Sequence, residues 1–208
     1  GSSCIYPRIY KKPIREEDLL SSFLEKTNEP YAIAKIAGIK MCESFNFQYG
    51  TQYFSVMPCN LYGKNDNYNL KECHVLPALI KKIHLAKVKK QKEIIIWGSG
   101  KPRREFLYVD DLAEASVDLM EKKIKSGIFN IGYGSDLSIK NLAIMISKVI
   151  NFKGGIKFDK SKPDGTFRKL LNSKKIINEI NWHPKISIEK GLKLTYEDFL
   201  KKEIFRNS

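Results

Sequence analysis

The sequence predicts an α/β fold built on a parallel sheet, with a smaller α/β region towards the C-terminus. Three observations predict it. The apolar run at residues 53–57 (YFSVM) suits a strand buried in a parallel sheet. Strand-like and helix-like segments then alternate down the chain. The stretch Pro58-Cys59-Asn60-Leu61-Tyr62-Gly63 forms a loop at the carboxyl end of that first strand, where open α/β sheets bind ligands.

The elements follow in order. Residues 7–26 are charged and turn-rich, and read as a surface loop with a short helix. Asn28 is placed to cap a helix with Pro30 in its first turn. Ile33, Ile36, Ala37, Met41 and Phe45 repeat near helical period, carrying that helix to about Tyr49, with Gly50 as its C-cap. After the strand at 53–57 comes a polar loop at 65–70. Val75, Leu76, Leu79, Ile80 and Ile83 define an amphipathic helix. Residues 93–97 read as a strand, 98–104 as a turn and 106–109 as a strand, with Asp110 or Asp111 capping a helix to about Lys123. Residues 128–131 form a strand, Ser138 caps a helix to Ile150, and 156–158 form a strand. A loop at 159–168 and two short helices near 173–179 and 187–201 complete the chain.

The 208 residues are enough to bury a real core in one or two small domains. No run of eighteen apolar residues occurs, so no membrane span is expected. Cys4, Cys42, Cys59 and Cys73 have neither C-x-x-C pairing nor zinc spacing, which points to a reducing, cytoplasmic compartment and no metal site. The net charge is +14, and lysines crowd the stretch from Lys81 to Lys92. Nucleic-acid binding is one reading of that charge. A solvated helix end in a lysine-rich chain is the other, favoured because no nucleic-acid motif accompanies it. A few of the cations could serve a diphosphate.

The chemistry gathers at Tyr31-Ala32-Ile33-Ala34-Lys35, preceded by Gly1-Ser2-Ser3-Cys4-Ile5-Tyr6-Pro7. Tyr and Lys four residues apart share one helix face. An ammonium beside a phenol favours the phenolate, which makes a tyrosine a better proton donor and acceptor near neutrality. A serine upstream can hydrogen-bond the same substrate oxygen. That set performs proton transfer in the short-chain dehydrogenase/reductase superfamily. Such reductases open with a strand and a glycine-rich turn that holds a dinucleotide pyrophosphate. No such turn is present here, and roughly 100 residues carrying the first mononucleotide-binding half are expected upstream.

Four stretches carry a more specific resemblance. They are Gly1 through Pro7; Thr27-Asn28-Glu29-Pro30 through Gly38; Trp97-Gly98-Ser99-Gly100 through Arg104-Glu105-Phe106; and Ser161-Lys162-Pro163-Asp164-Gly165-Thr166 through Leu171. On these the chain resembles the C-terminal two-thirds of the GDP-L-fucose synthase family. Its members are NADPH-dependent 3,5-epimerase/4-reductases of GDP-4-keto-6-deoxy-D-mannose, within the extended short-chain dehydrogenase/reductases. The resemblance implies a partial Rossmann-like sheet with a smaller substrate-binding domain. The expected division is residues 1–63 for the remainder of the dinucleotide domain and 64–208 mainly for substrate, with about 104–132 returning to the first.

The same resemblance assigns roles. Tyr31 donates a proton to the C4 oxygen, Lys35 assists it and binds the nicotinamide ribose, and Ser2 holds the same oxygen. Cys4 is the base of the epimerisation and His74 its acid, on the opposite face. Protons beside a ketone are acidic enough for a side-chain base because the enolate is stabilised at that oxygen. Pro58, Cys59, Asn60, Leu61 and His74 join Tyr31 and Lys35 in lining the NADPH site. Lys82, Trp97, Arg104 and Asp164 bind the sugar nucleotide. Lys82 stands where relatives can carry Arg and lacks its bidentate fork, while Phe167 and Asn172 stand where Pro and Asp are expected. The implied assembly is a homodimer using the helix at 31–49, whose apolar face could equally be core. The competing reading of the chain is a non-catalytic sugar-nucleotide-binding remnant, or another NAD(P)-dependent sugar-nucleotide epimerase or dehydratase.

Overall fold

The structure is a computed structural model that describes residues 1–8, 12–122, 124 and 126–207, with side chains of the last helix as far as residue 202. Residues 9–11 of the predicted N-terminal loop and Lys123 at a predicted helix end lie outside the described residues. In chain order the elements begin with α1 (Glu29–Tyr49), β1 (Phe54–Pro58), β2 (Asn60–Tyr62), α2 (Val75–Val88), β3 (Glu93–Trp97), β4 (Arg103–Tyr108) and α3 (Val109–Glu121). They continue with β5 (Gly127–Ile131), β6 (Asp136–Ser138), α4 (Ile139–Ile150), β7 (Gly155–Asp159), β8 (Arg168–Lys169), α5 (Lys174–Ile180) and α6 (Ile188–Asn207). They fall into two compact units. The first comprises Gly1–Leu61, Glu105–Asp136 and Arg168–Lys185; the second comprises Tyr62–Arg104, Leu137–Phe167 and Ile186–Ser208.

In the first unit β1 runs parallel to β5, with Phe54 opposite Gly127 and Pro58 opposite Ile131. Its core joins Ile5, Tyr6, Ile36, Met57, Leu107, Leu119, Phe129, Ile131 and Trp182. Helix α1 carries Pro30 in its first turn, where no intrahelical N–H is needed, and ends at Gly50. Gly50 adopts φ 65° and donates its N–H to the Asn46 carbonyl, the left-handed cap that glycine accepts without strain.

In the second unit β3 runs parallel to β7, pairing Glu93 with Gly155 and Trp97 with Asp159. Ile94 and Ile96 point inward while Glu93, Ile95 and Trp97 face out, the period-two pattern of a sheet covered on one side. Ser138 caps α4 by accepting from the Asn141 N–H at 3.1 Å, and Asn151 closes it in the left-handed region. Tyr68 and Phe199 pack edge to face with centroids 4.7 Å apart, tying the loop before α2 to α6.

Several expectations need correction. Asn28 occupies the N-cap position of α1, but its side chain makes no capping bond. Helix α3 begins at Val109 with Tyr108 as N-cap, so neither Asp110 nor Asp111 caps it. Asp111 instead lies in the first turn and accepts from the Lys185 N–H at 3.2 Å. The strand placed at 106–109 starts earlier, at Arg103, and takes in the end of the predicted turn. Part of the loop after β1 is the short strand β2. The predicted stripe of α1 is mostly outside: Ala32, Ile36 and Ile39 are buried, while Ile33, Ala37, Met41 and Phe45 are exposed.

Candidate active site

The N-terminal stretch folds as a 3-10 turn over Ser3–Ile5. The Ser2 hydroxyl oxygen caps it, accepting from the Cys4 N–H at 3.2 Å. Ile5 and Tyr6 anchor the turn in the core, and the Tyr6 hydroxyl donates to Asn130 Oδ1 at 2.7 Å. Helix α1 packs against this turn. Its first two turns present Tyr31 and Lys35 to solvent, with the Lys35 Nζ 5.5 Å from the centre of the Tyr31 ring. Ser2, Cys4, Tyr31 and Lys35 therefore lie on two elements of one unit that touch each other.

Pro58 ends β1, and Asn60 and Leu61 open β2. Cys59 is buried between them; burial first, then the Glu105 carboxylate, pushes its thiol well above the ordinary range. It is a packed side chain rather than a reactive thiol. Asn60 donates its Nδ2–H to the Glu105 carbonyl at 2.9 Å, which fixes the strand end.

Two residues of this unit have no counterpart among the sequence candidates. Glu105 is 1% exposed. Its carboxylate accepts from the Gly134 N–H at 2.8 Å and the Leu171 N–H at 2.9 Å. Burial still pushes the carboxyl up to about 7 against the pull of those donors. Lys169, on β8, places its Nζ 3.8 Å from the Cys4 sulfur. Both lie inside motifs that carry the resemblance, but nothing local in the sequence pairs them with these partners.

In the second unit a cavity of about 500 Å³ opens between α2, β3 and the loop at 159–168. Lys82, Trp97, Arg104 and Asp164 all line it, together with apolar residues such as Val75 and Leu79. Trp97 is 71% exposed, and the Lys162 ammonium lies 5.6 Å from its ring centre. Arg104 donates from one guanidinium nitrogen to the Thr166 carbonyl at 2.5 Å, bracing the loop. Asp164 accepts from the Ser99 N–H at 2.8 Å and from the Ser99 hydroxyl at 2.6 Å. Those bonds, the hydroxyl first, hold its carboxyl below the usual range. Gly98, at φ +83°, leaves room for it: a Cβ there would collide with Asp164 Oδ1. Lys82 donates to the Ile95 carbonyl.

His74 also belongs to the second unit, at the N-cap position of α2, where its side chain makes no capping bond. Burial raises the carboxyl of Asp66, in the loop before α2, against the opposing backbone N–H of Asn67.

A planar aromatic face, several cations and an apolar floor around one cavity suit a nucleoside diphosphate. An exposed Tyr-Lys pair beside a capping Ser and a Cys suits proton transfer next to a carbonyl. Comparisons with known proteins identify the family. The NAD dependent epimerase/dehydratase family profile matches residues 1–132. The chain is 49% identical over 212 residues to a GDP-L-fucose synthase of Escherichia coli (strain K12), spanning 98% of this chain and 66% of that protein. It is 52% identical over 200 residues to one from Sinorhizobium fredii, spanning 96% and 63%. The chain thus spans slightly less than two thirds of the length of these curated relatives. Among solved structures, a GDP-L-fucose synthetase from Naegleria fowleri bound to NADP superposes with a TM-score of 0.89 at 29% identity, over 98% of this chain and 65% of that one. A GDP-6-OMe-4-keto-L-xylo-heptose reductase from C. jejuni superposes with a TM-score of 0.88 at 33% identity, over 97% and 69%. With a parallel α/β sheet, a Tyr-Lys helix and a matched profile over more than half its length, the chain belongs to the NAD dependent epimerase/dehydratase family.

Proposed function

We propose that this chain carries the proton-transfer residues and the sugar-nucleotide pocket of an enzyme that converts GDP-4-keto-6-deoxy-D-mannose to GDP-L-fucose with NADPH. The observation that carries the reading is the cavity of the second unit. Lys82, Trp97, Arg104 and Asp164 come from three separate stretches of sequence and line one volume of about 500 Å³. The curated relatives named GDP-L-fucose synthase support a GDP-sugar, and the 3,5-epimerase/4-reductase activity rests on the resemblance of the sequence motifs to that family. On this reading the first compact unit is the cofactor-side domain and the second the substrate-side domain.

Ser2 and Tyr31 hold the ketone oxygen at C4 and stabilise the enolate. The Cys4 thiolate takes the proton from the carbon beside the ketone, and the bond electrons move onto that oxygen. His74 returns a proton to the opposite face, inverting first one neighbouring carbon and then the other. The donor set at α1 fits a nicotinamide ribose: the Lys35 ammonium and Tyr31 phenol stand exposed side by side, and Lys35 would hydrogen-bond the ribose. Asn60 and Leu61 would line the nicotinamide end, while Cys59 supports them from the core. NADPH, when bound, would supply the hydride, and Tyr31 would hand its proton to O4. The exposed Ile33, Met41, Phe45 and Phe47 of α1 suit a homodimer built across that helix, and four free thiols suit the cytoplasm.

The test is turnover. The chain is joined behind the first mononucleotide-binding half of the Escherichia coli relative and supplied with GDP-4-keto-6-deoxy-D-mannose and NADPH. GDP-L-fucose, identified by NMR, is the expected product. NADPH oxidation that yields only an uninverted 4-hydroxy sugar would overturn the epimerase reading, and no oxidation would overturn the reading as a whole.

A further inference from the structure

One wall of the cavity in the second unit is built by two stretches bonded to each other. Trp97, Gly100 and Arg104 come from the first, and Pro163, Asp164 and Gly165 from the second. Backbone bonds tie down both ends of the second stretch. The Gly98 N–H donates to the Asp159 carbonyl at 2.9 Å, and the Arg103 N–H donates to the Phe167 carbonyl at 2.8 Å. Between those ends Ser99 gives each Asp164 oxygen a donor: its N–H to Oδ1 at 2.8 Å and its hydroxyl to Oδ2 at 2.6 Å. The Lys101 N–H donates to Ser99 Oγ at 3.2 Å, which leaves the hydroxyl proton free to face the carboxylate. The two stretches approach so closely that the neighbouring position must be glycine, since a Cβ on Gly98 would collide with Asp164 Oδ1. The same loop sets the Lys162 ammonium 5.6 Å from the centre of the exposed Trp97 ring.

We infer that Ser99 is a positioning residue for this cavity: it grips Asp164 and so holds residues 160–167 as a pre-formed wall before a ligand arrives. The inference deepens, and rests on, the reading of the cavity as the sugar-nucleotide pocket. A loop that is already ordered spares the ligand the conformational entropy of ordering it. Ser99 is not one of the described residues that line the cavity, so its effect reaches a ligand through Asp164. The grip uses both carboxylate oxygens and joins residues 65 positions apart. It acts on the part of the loop that the tied ends alone would leave free to move.

Two measurements on the 208-residue chain test this. Hydrogen exchange without ligand reads the loop. Peptides spanning 160–167 should exchange about tenfold faster in Ser99→Ala than in the parent, and Ser99→Thr, which keeps the hydroxyl, should restore the parent rate. Calorimetry with GDP reads the pocket. Ser99→Ala should weaken binding about fivefold, and Ser99→Thr should not. Ser99→Ala added to Asp164→Ala should cost nothing further, because the hydroxyl then has no carboxylate to hold. Unchanged loop exchange or unchanged GDP affinity in Ser99→Ala would overturn the inference. So would losses that Thr fails to restore, or independent losses in the double variant. If loop exchange behaves as expected and the parent chain binds no GDP, the brace on the loop stands and the reading of the cavity falls.

Discussion

Glu105 offers the most quantitative handle on the first unit. Its carboxyl rises from 4.5 to about 7 because burial outweighs the N–H donors of Leu171, Gly134 and Tyr133. At about 1.4 kcal/mol per pKa unit, that rise corresponds to about 3 kcal/mol. The sign follows from proton counting. Between 4.5 and 7 the folded chain holds a proton on Glu105 that the unfolded chain has released. This contribution is therefore fully present at low pH, is lost as pH rises through about 7, and stays lost above. Glu105→Gln removes the titration while keeping the shape. Its amide sets an N–H against one of those backbone donors, which costs about 1–2 kcal/mol at every pH. The assay is urea unfolding at about pH 5 and about pH 8, followed by fluorescence of Trp182, which is buried in the core of the same unit. The parent should lose about 2.5 kcal/mol more than Glu105→Gln between the two conditions. Parallel losses in the two proteins would refute the assignment of that penalty to Glu105.

Other predictions follow from the same geometry. Tyr31→Phe, in the chain joined to a cofactor-binding half, should lower ketone reduction by roughly 10²–10⁴-fold. Deuterium exchange at C3 and C5 should persist through Ser2; equal loss of both would make Tyr31 as necessary to the enolate as to the reduction. Trp97→Ala should weaken GDP binding to the 208-residue chain about tenfold by calorimetry, the loss of one stacking face, and an unchanged affinity would remove Trp97 from the pocket. Met41→Glu on the exposed face of α1 should convert a dimer to monomer in sedimentation velocity, with α-helical content unchanged. A parent chain that sediments as a monomer would contradict the proposed interface.

Local punctuation made most elements legible. Gly50, Ser138 and the glycines at 98–100 mark helix and strand ends that the structure places within a residue or two. The errors arise where a distant partner decides. Asp111 looks like a helix cap, yet its oxygen accepts from Lys185, 74 residues away. The stripe on α1 is real, but periodicity says only that a face is apolar, not what covers it. The site shows the same divide. Tyr31 and Lys35 are paired by helical spacing alone. The convergence of Lys82, Trp97, Arg104 and Asp164 on one cavity is a product of the fold. The Ser99 bonds that occupy Asp164, the burial of Glu105 and the Lys169–Cys4 contact could not be read from sequence, because each joins residues distant in the chain or depends on depth.

On the proposed reading, the enzyme that carries this chain inverts two carbons before it reduces a third, with Cys4 as the base. The deuterium content at C3 and C5 of the product formed in heavy water tests it most directly, comparing the joined enzyme with its Cys4→Ser variant. The account predicts GDP-L-fucose labelled at both carbons from the parent, and from Cys4→Ser slow exchange at both with NADPH binding retained. Parent-rate formation of doubly labelled GDP-L-fucose by Cys4→Ser would contradict it and return Cys4 to the role of a small packed side chain.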